Sequence, residues 1–169
     1  MGASNYVIIS DVHTNRYAVG EVLARQIRPV DALIFCGDGL GAVCNLDGGV
    51  NVFAVAGNCD VSRKLSHVSG FCEDVPYERV INLDGKRILL LHGHTRGVKF
   101  SLTAAIYAAR EADADALIFG HTHTLEYFTV DGNAGEKRLE VFNPGALQDG
   151  CFGTLEIRNG AMMFSHGRL

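Results

Sequence analysis

Short apolar runs, each followed by a polar and glycine-rich segment, recur along the chain. Their length and composition predict buried β-strands over residues 6–9, 32–36, 50–56, 87–91 and 116–119. Two longer segments predict helices over residues 14–27 and 99–112. Strands that alternate with helices are typical of an α/β fold.

The second half of the chain has the pattern of antiparallel strands. Asp-Gly is a strong two-residue turn signal, so residues 76–83 and 87–91 are predicted to form a hairpin across Asp84-Gly85. Alternating apolar and polar residues predict consecutive antiparallel strands of a second sheet over residues 124–130, 137–142, 152–157 and 161–165. A short helix is also expected after Asp60. Without internal repeats or a linker composition, residues 1–169 are expected to form one domain.

Polar clusters that contain potential metal ligands follow the predicted strands. In open α/β sheets, ligands bind in the crevice beyond the carboxyl ends of the strands, so clusters that are distant in sequence can converge there. In chain order the clusters are Asp11-Val12-His13, Gly37-Asp38, Gly57-Asn58-Cys59-Asp60, His92-Gly93-His94 and Gly120-His121-Thr122-His123.

The residue types in these clusters indicate the kind of metal. Carboxylates and neutral imidazoles suit Mn, Fe, Zn, Co or Ni, whereas Mg and Ca sites consist mostly of oxygen. Two metals about 3.5–4 Å apart can clamp the attacking and leaving oxygens of a displacement, and Asp38 is the candidate bridge between them. Singly, each cluster has an ordinary explanation, such as Asp11 as a helix cap, but all five in this order favour a metal site.

The series Asp-x-His, Gly-Asp, Gly-Asn-x-Asp, His-Gly-His and Gly-His-x-His resembles the motifs of the calcineurin-like metallophosphoesterases. Within that superfamily it resembles the small single-domain branch of YfcE-type phosphodiesterases, over about residues 6–146. The resemblance implies a four-layer α-β-β-α sandwich of two mixed sheets, with the metal site at the carboxyl ends of the strands. By the same resemblance, Asp11, His13, Asp38 and His123 would hold one metal, and Asp38, Asn58, His92 and His121 would hold the other.

The mechanism that fits such a site is metal-assisted hydrolysis of a small phosphodiester, in which a hydroxide generated on the metal pair attacks phosphorus. The cofactors would be two divalent ions, with Mn as the first candidate and Ni, Co, Fe or Zn as alternatives. His92 directly follows an apolar strand and is taken as the ligand, which leaves His94 as a catalytic candidate together with Asp60. The substrate-binding candidates are Asn15 and Arg16, at the start of a predicted helix that attracts phosphate, and Arg96.

Cys59 marks a departure from part of the superfamily. Many of its phosphatases carry a histidine after the asparagine, as a candidate general acid for the leaving group, so a protein Ser/Thr phosphatase is disfavoured. The cysteine is interpreted as a small residue in a tight turn, with a thiolate ligand as the alternative.

Composition and charge narrow the function classes. With 47% hydrophobic and 20% charged residues, the sequence is typical of a globular domain. A net charge of −4 without a basic cluster disfavours a nucleic acid polymer as partner. No apolar stretch reaches about 18 residues and no signal-peptide pattern occurs, so we expect no membrane partner and a cytoplasmic location. Five scattered cysteines are consistent with free thiols in that compartment.

Three functions remain open from the sequence. The first is a phosphodiesterase acting on a small phosphoester, and the second is a phosphomonoesterase for nucleotide-type substrates. These two differ only in the shape of a pocket to which residues 39–49 and 62–74 are expected to contribute. The third is a catalytically silent scaffold for protein partners, like the retromer subunit that shares this fold. The intact histidines argue against this function. The sequence leaves homo-oligomerisation open.

Overall fold

The computed structural model describes residues 2–44, 46, 49–66, 72–132 and 135–169. Two helices are present, α1 (Arg16–Ala24) and α2 (Thr103–Glu111). The strands are β1 (Ser4–Ile9), β2 (Ala32–Phe35), β3 (Asn51–Ala54), β4 (Lys64–Ser66), β5 (Cys72–Asp74), β6 (Glu78–Leu83), β7 (Lys86–Leu91), β8 (Ala116–Ile118), β9 (Leu125–Val130), β10 (Leu139–Pro144), β11 (Cys151–Arg158) and β12 (Ala161–Arg168).

Ten of these strands form two mixed five-stranded sheets. The first sheet has the order β12-β11-β1-β2-β3, in which β1, β2 and β3 are parallel and β11 runs antiparallel to β1. The second sheet has the order β6-β7-β8-β10-β9, with β7, β8 and β10 parallel. The parallel strands of both sheets supply the loops that carry the polar clusters.

Side chains alternate along β1 between two cores. Ile8 packs between the two sheets with Leu90 and Phe142, whereas Val7 points to the opposite face, where it shares a core with Val22 of α1. In the second sheet, residues on the outer face form a third core with α2. The strands are therefore buried on both faces, as their apolar runs predict, and the layers follow the order α-β-β-α. The predicted four-layer fold is confirmed.

Two local predictions are wrong. The segment after Asp60 forms no helix among the described residues; it leads into β4, which pairs with β5 and directs Leu65 into the core beneath α1. The four predicted C-terminal strands also do not form one sheet. β9 and β10 extend the second sheet, whereas β11 crosses to pair with β1 because its inward side chains Leu155 and Ile157 fill the core between the sheets. The Asp84-Gly85 hairpin forms as predicted.

The helices of the described residues are all short. None is long and apolar enough to span a membrane.

Candidate metal centre

The seven candidate ligands all follow parallel strands of the two sheets. Those from the first sheet follow β1, β2 and β3, and those from the second follow β7 and β8. Each sheet thus provides part of one centre at the carboxyl ends of its strands. We call these seven residues the metal centre: Asp11, His13, Asp38, Asn58, His92, His121 and His123.

The first ligand group is built around Asp11. One ligand atom from each of Asp11, His13 and His123 lies within 4.8 Å of the others. The Asp11 Oδ2 atom accepts hydrogen bonds from Ser10 Oγ at 2.6 Å and from the His121 amide at 3.0 Å. The Oδ1 atom is buried without a hydrogen bond and lies 3.1 Å from His123 Nε2. Asp11 is therefore held through one oxygen and presents the other to the histidines.

The second group is built around His92. Its Nδ1 atom lies 2.7 Å from the Cys36 carbonyl oxygen, which fixes Nδ1 as the protonated nitrogen and leaves the Nε2 lone pair free. Nε2 lies 3.2 Å from Asn58 Oδ1 and 3.5 Å from Asp38 Oδ2. Asp38, His92 and His121 offer ligand atoms within 4.8 Å of one another.

Asp38 belongs to both sides of the centre. Besides its group with His92 and His121, it forms a group of ligand atoms within 4.8 Å with His13 and Cys59. The Cys59 amide donates to Asp38 Oδ1 at 2.7 Å, so that the carboxylate is oriented by the loop after β3. This position between the two groups is the one that a bridging carboxylate requires.

The residues fit divalent metal ions. A buried carboxylate oxygen without a hydrogen bond, on Asp11, and a buried imidazole with its Nδ1 proton held by a carbonyl, on His92, are both arranged as metal ligands usually are. Nitrogen and oxygen donors together suit transition metals and zinc.

The charges of the centre are coupled. For Asp38, burial raises the pKa, but hydrogen bonds from His92 and the Cys59 amide outweigh it and hold the pKa well below its usual range. For His92, burial lowers the pKa, but the contact with Asp38 outweighs it and raises the pKa overall. Burial, together with the charge of His92, lowers the pKa of His121 to about 4. The contact with Asp38 therefore favours protonation of His92, whereas protonation of His121 is disfavoured.

The backbone at the centre is strained. Asp11, His13, Asp38, His121 and His123 have φ values of 52°, 50°, 62°, 68° and 62°, in the left-handed region that non-glycine residues seldom adopt. Such conformations cost free energy and persist where the surrounding structure enforces them, commonly at functional sites.

Two glycines before ligand residues allow close approach of the loops. A Cβ atom on Gly57 would lie 1.9 Å from Asp38 Oδ1, and one on Gly120 would lie 1.9 Å from Ser10 Oγ. Both distances are too short for any side chain, so the loops after β3 and β8 approach the aspartates only because glycine is present.

Asp60 is placed differently from the catalytic role expected of it. Its Oδ1 accepts from the amides of Gly39 and Leu40, at 2.8 and 2.9 Å, and its Oδ2 accepts from those of Gly57 and Asp38, at 2.8 and 3.0 Å. With four backbone donors on one carboxylate, this geometry favours a positioning role. Asp60 ties the loop after β2 to the loop after β3.

The three expected substrate-binding residues have partners within the protein. Asn15 caps α1 by accepting from the Ala18 amide at 3.3 Å, and Arg16 donates to the Gly41 carbonyl at 3.2 Å. Arg96 makes two hydrogen bonds to Glu78, at 2.9 and 2.6 Å, outside the metal centre. These contacts favour structural roles for all three residues.

His94 lies beside the centre rather than within its ligand groups. Its ring centroid is 5.3 Å from that of His92 and 6.1 Å from that of His121, and burial is the main cause of its lowered pKa. The Nδ1 atom is buried without a hydrogen bond. The neutral ring with its proton on Nε2 leaves no buried donor unpaired. This geometry agrees with His92 as ligand and His94 as neighbour.

The sequence did not identify some of the supporting residues. Asn143, in an Asn-Pro-Gly sequence to which no role was assigned, is buried and donates to Thr122 Oγ1 at 2.9 Å and to the Gly120 carbonyl at 3.4 Å. It thereby holds the loop that carries His121 and His123. An asparagine beside a turn could have indicated such a supporting role. Its partner loop is distant in sequence, so the sequence does not show which loop it holds.

Comparisons with known proteins agree with this architecture. The family model described as the calcineurin-like phosphoesterase superfamily domain matches residues 5–162. The probable metallophosphoesterase YsnB of Bacillus subtilis is 30% identical over 145 residues, which cover 85% of this chain and 75% of YsnB.

Solved structures resemble the whole chain. A conserved protein of Streptococcus pneumoniae, described as a predicted phosphoesterase, has a TM-score of 0.74 and 23% identity, over 99% of this chain and 91% of that one. An archaeal phosphodiesterase has a TM-score of 0.70 and 20% identity, over 98% and 99%. Vacuolar protein sorting 29 of Cryptosporidium parvum has a TM-score of 0.67 and 20% identity, over 99% and 98%. At these identities the likeness shows the fold.

Proposed function

Because the chain belongs to the calcineurin-like phosphoesterase superfamily, we propose that it hydrolyses a small phosphodiester with two divalent metal ions held at the metal centre. Membership of this superfamily supports a metal-dependent phosphoester hydrolase. The observation that carries the proposal of two metal ions is Asp38, whose carboxylate lies between two groups of candidate ligands. We take Mn as the first metal to test, with Ni, Co, Fe and Zn as alternatives.

The residues of the metal centre and His94 would have different roles in hydrolysis. When bound, the two ions would polarise the phosphoryl oxygens and lower the pKa of the attacking water. Asp11 and Asp38 each use one oxygen for a backbone hydrogen bond, which orients the carboxylate, and the other oxygen of each would hold a metal ion. His94, whose pKa is lowered mainly by burial, would donate an Nε2–H hydrogen bond to a phosphoryl oxygen or to the leaving oxygen.

The charges around the centre favour a diester over a monoester. A phosphomonoester carries about two negative charges near neutral pH and a diester one, so a monoesterase gains more from additional cations at the phosphate. The arginines next to the ligand clusters, Arg16 and Arg96, are engaged by a carbonyl and by Glu78. A monoanionic phosphodiester is the better match for this pattern.

A metal reconstitution assay tests the proposal. Metal-stripped protein is supplied with Mn, Ni, Co, Zn or Mg, and hydrolysis of bis(p-nitrophenyl) phosphate is compared with that of p-nitrophenyl phosphate. We expect metal-dependent turnover that is faster for the diester. The Asp38→Asn variant serves as the site control, and Asp113→Asn, on an exposed residue, serves as the matched surface control.

The other outcomes lead to the alternative functions. Faster turnover of the monoester would replace the diesterase by a phosphomonoesterase. Binding of two ions without turnover of either ester would support a scaffold that retains the metal centre.

A further inference from the structure

A row of three side chains leads away from the metal centre on the side of His94. The rings of Tyr77 and His94 are nearly perpendicular with centroids 4.9 Å apart, and the Arg63 guanidinium carbon lies over the Tyr77 ring, 5.0 Å from its centroid. We call these three residues the His94 row. It starts at the rings of His92 and His121 and ends at a positive charge.

The backbone ties this row to the centre. The Tyr77 carbonyl accepts from the His92 amide at 3.4 Å, and the Val75 amide donates to the Arg63 carbonyl at 2.8 Å. Arg63 directly precedes β4, only three residues after Asp60, whose carboxylate holds the loops of the centre. Both ends of the row are therefore attached to segments that also position candidate ligands.

Arg63 differs from the other cations of this region. Lys64 pairs with Asp74 at 2.6 Å, Arg79 with Glu73 at 3.5 Å, and Arg96 with Glu78 at 2.6 Å. Among the residues that the structure describes, Arg63 has no side-chain hydrogen bond or ion pair to a carboxylate; its guanidinium lies on an aromatic face, and its charge acts on Asp74 from a distance.

Such an arrangement leaves the guanidinium ready for an anion. A cation–π contact holds an arginine over an aromatic ring without using its N–H donors, which stay available for hydrogen bonds. Phosphate and carboxylate groups accept such hydrogen bonds. Arg63 contacts Tyr77, and Tyr77 in turn contacts His94, so we expect an anion on Arg63 to be a second one and not the phosphoryl group at the metals.

We propose that Arg63, held on Tyr77, binds a second anionic group, a phosphate or a carboxylate, carried by the phosphodiester substrate on the part that extends past His94 toward Tyr77. This inference rests on the proposed function, since it names the substrate class of the same site. The enzyme then selects small phosphodiesters that carry a further anionic group over simple ones.

A binding measurement on a matched ligand pair tests the proposal. Thymidine 3′,5′-bisphosphate and thymidine 5′-monophosphate differ by one phosphate, and calorimetry on Mn-loaded protein gives their dissociation constants. We expect tighter binding of the bisphosphate. Arg63→Ala should weaken it by about tenfold to a hundredfold, as for loss of a charge-assisted hydrogen-bonded pair, and should change monophosphate binding by less than about twofold.

Variants with distinct contacts sharpen the test. Tyr77→Phe keeps the aromatic face and should retain the preference, whereas Tyr77→Leu removes the face and should reduce it. Arg158→Ala is the control, because Arg158 ends β11 beside the amino end of β1, away from the carboxyl ends that carry the centre, and should leave both constants unchanged. Equal binding of the two ligands to the unaltered protein, or an equal loss of both in Arg63→Ala, overturns the proposal.

Turnover separates this proposal from the proposed function. Thymidine 5′-(p-nitrophenyl) phosphate, with and without a 3′-phosphate, reports diester hydrolysis directly. If neither compound is hydrolysed with any metal, the proposed function fails, while the ratio of the two dissociation constants still decides whether Arg63 recognises the second anion.

Discussion

The carboxylate of Asp60 offers a direct test of how the metal centre is built. Replacement by Asn keeps the shape of the side chain but turns one accepting oxygen into an NH₂ group. In the native arrangement each oxygen accepts from two backbone amides, those of Gly39 and Leu40 on one side and of Gly57 and Asp38 on the other. Asp60→Asn therefore loses two of the four hydrogen bonds. The new side-chain NH₂ group also faces two backbone N–H donors, which it cannot accept from.

The magnitude follows from these contacts. A hydrogen bond to a charged group contributes about 1.5–3 kcal/mol, so two lost bonds have an upper limit of about 3–6 kcal/mol. Asp60 is only partly buried, and water can reach the freed amides, which offsets roughly half of the loss and leaves about 1.5–3 kcal/mol. For a chain of this length that corresponds to a fall in melting temperature of about 3–12 °C.

Thermal unfolding and metal content together check this prediction. We expect Asp60→Asn to melt earlier and to bind Mn more weakly, because the loops that carry Asp38 and Asn58 lose their common anchor. Asp113→Asn is the matched control, since the Asp113 side chain is 77% exposed, and it should change stability by less than about 0.5 kcal/mol. Unchanged melting temperature and metal content, combined with a large loss of turnover, would refute the positioning role and restore Asp60 as a catalytic residue.

Three further predictions concern the metal centre. Asp38→Asn should reduce both bound ions, as measured by metal analysis after dialysis, and an unchanged metal content would exclude Asp38 as the bridge. His94→Ala should lower kcat by about a hundredfold, as for loss of a hydrogen-bond donor to the phosphoryl or leaving oxygen, at constant metal content; loss of one ion would instead make His94 a ligand. Metal affinity should fall as the pH falls, because the contact of His92 with Asp38 raises the His92 pKa, although burial alone lowers it, and a bound metal must displace that proton. His121, with its pKa lowered to about 4 mainly by burial, adds no further dependence above that pH. A dissociation constant that is unchanged from about pH 7 to about pH 5 would contradict the histidine-rich ligand set.

Much of the fold follows from local sequence signals. Apolar runs that end in polar clusters predict the parallel strands, and the Asp84-Gly85 pair predicts the hairpin of β6 and β7. The sheet to which β11 belongs was not predictable in this way. Its alternating pattern is compatible with either sheet, and the choice is made by the fit of Leu155 and Ile157 into the core between the sheets, a property of the assembled layers.

The candidate site, like the fold, was predictable from the sequence only in part. Residue type and order were enough to choose the candidate ligands, whose predicted convergence matches the arrangement in space. The partners of the remaining polar residues were not predictable, because Arg96 finds Glu78 and Asp60 finds the amides of the loop after β2 only once the strands are paired. The left-handed backbone at Asp11 and Asp38 also leaves no mark in residue type, since aspartate is common in ordinary turns.

The strand order has a consequence for how the chain folds as it is synthesised. The second sheet is built from residues that are contiguous except for crossing loops, between β6 and β10, so it can form before the rest of the chain emerges. β1 must wait for β11, because Ser4 pairs with Ile157 and Ile8 with Gly153 across nearly the whole sequence. Contacts of such long range slow folding, because closing the long loop costs conformational entropy before the contacts form and stabilise the structure. During synthesis the ribosome-bound chain therefore exposes the unpaired backbone edge of β1 until β11 emerges, and this interval is when chaperones or aggregation would act on the protein.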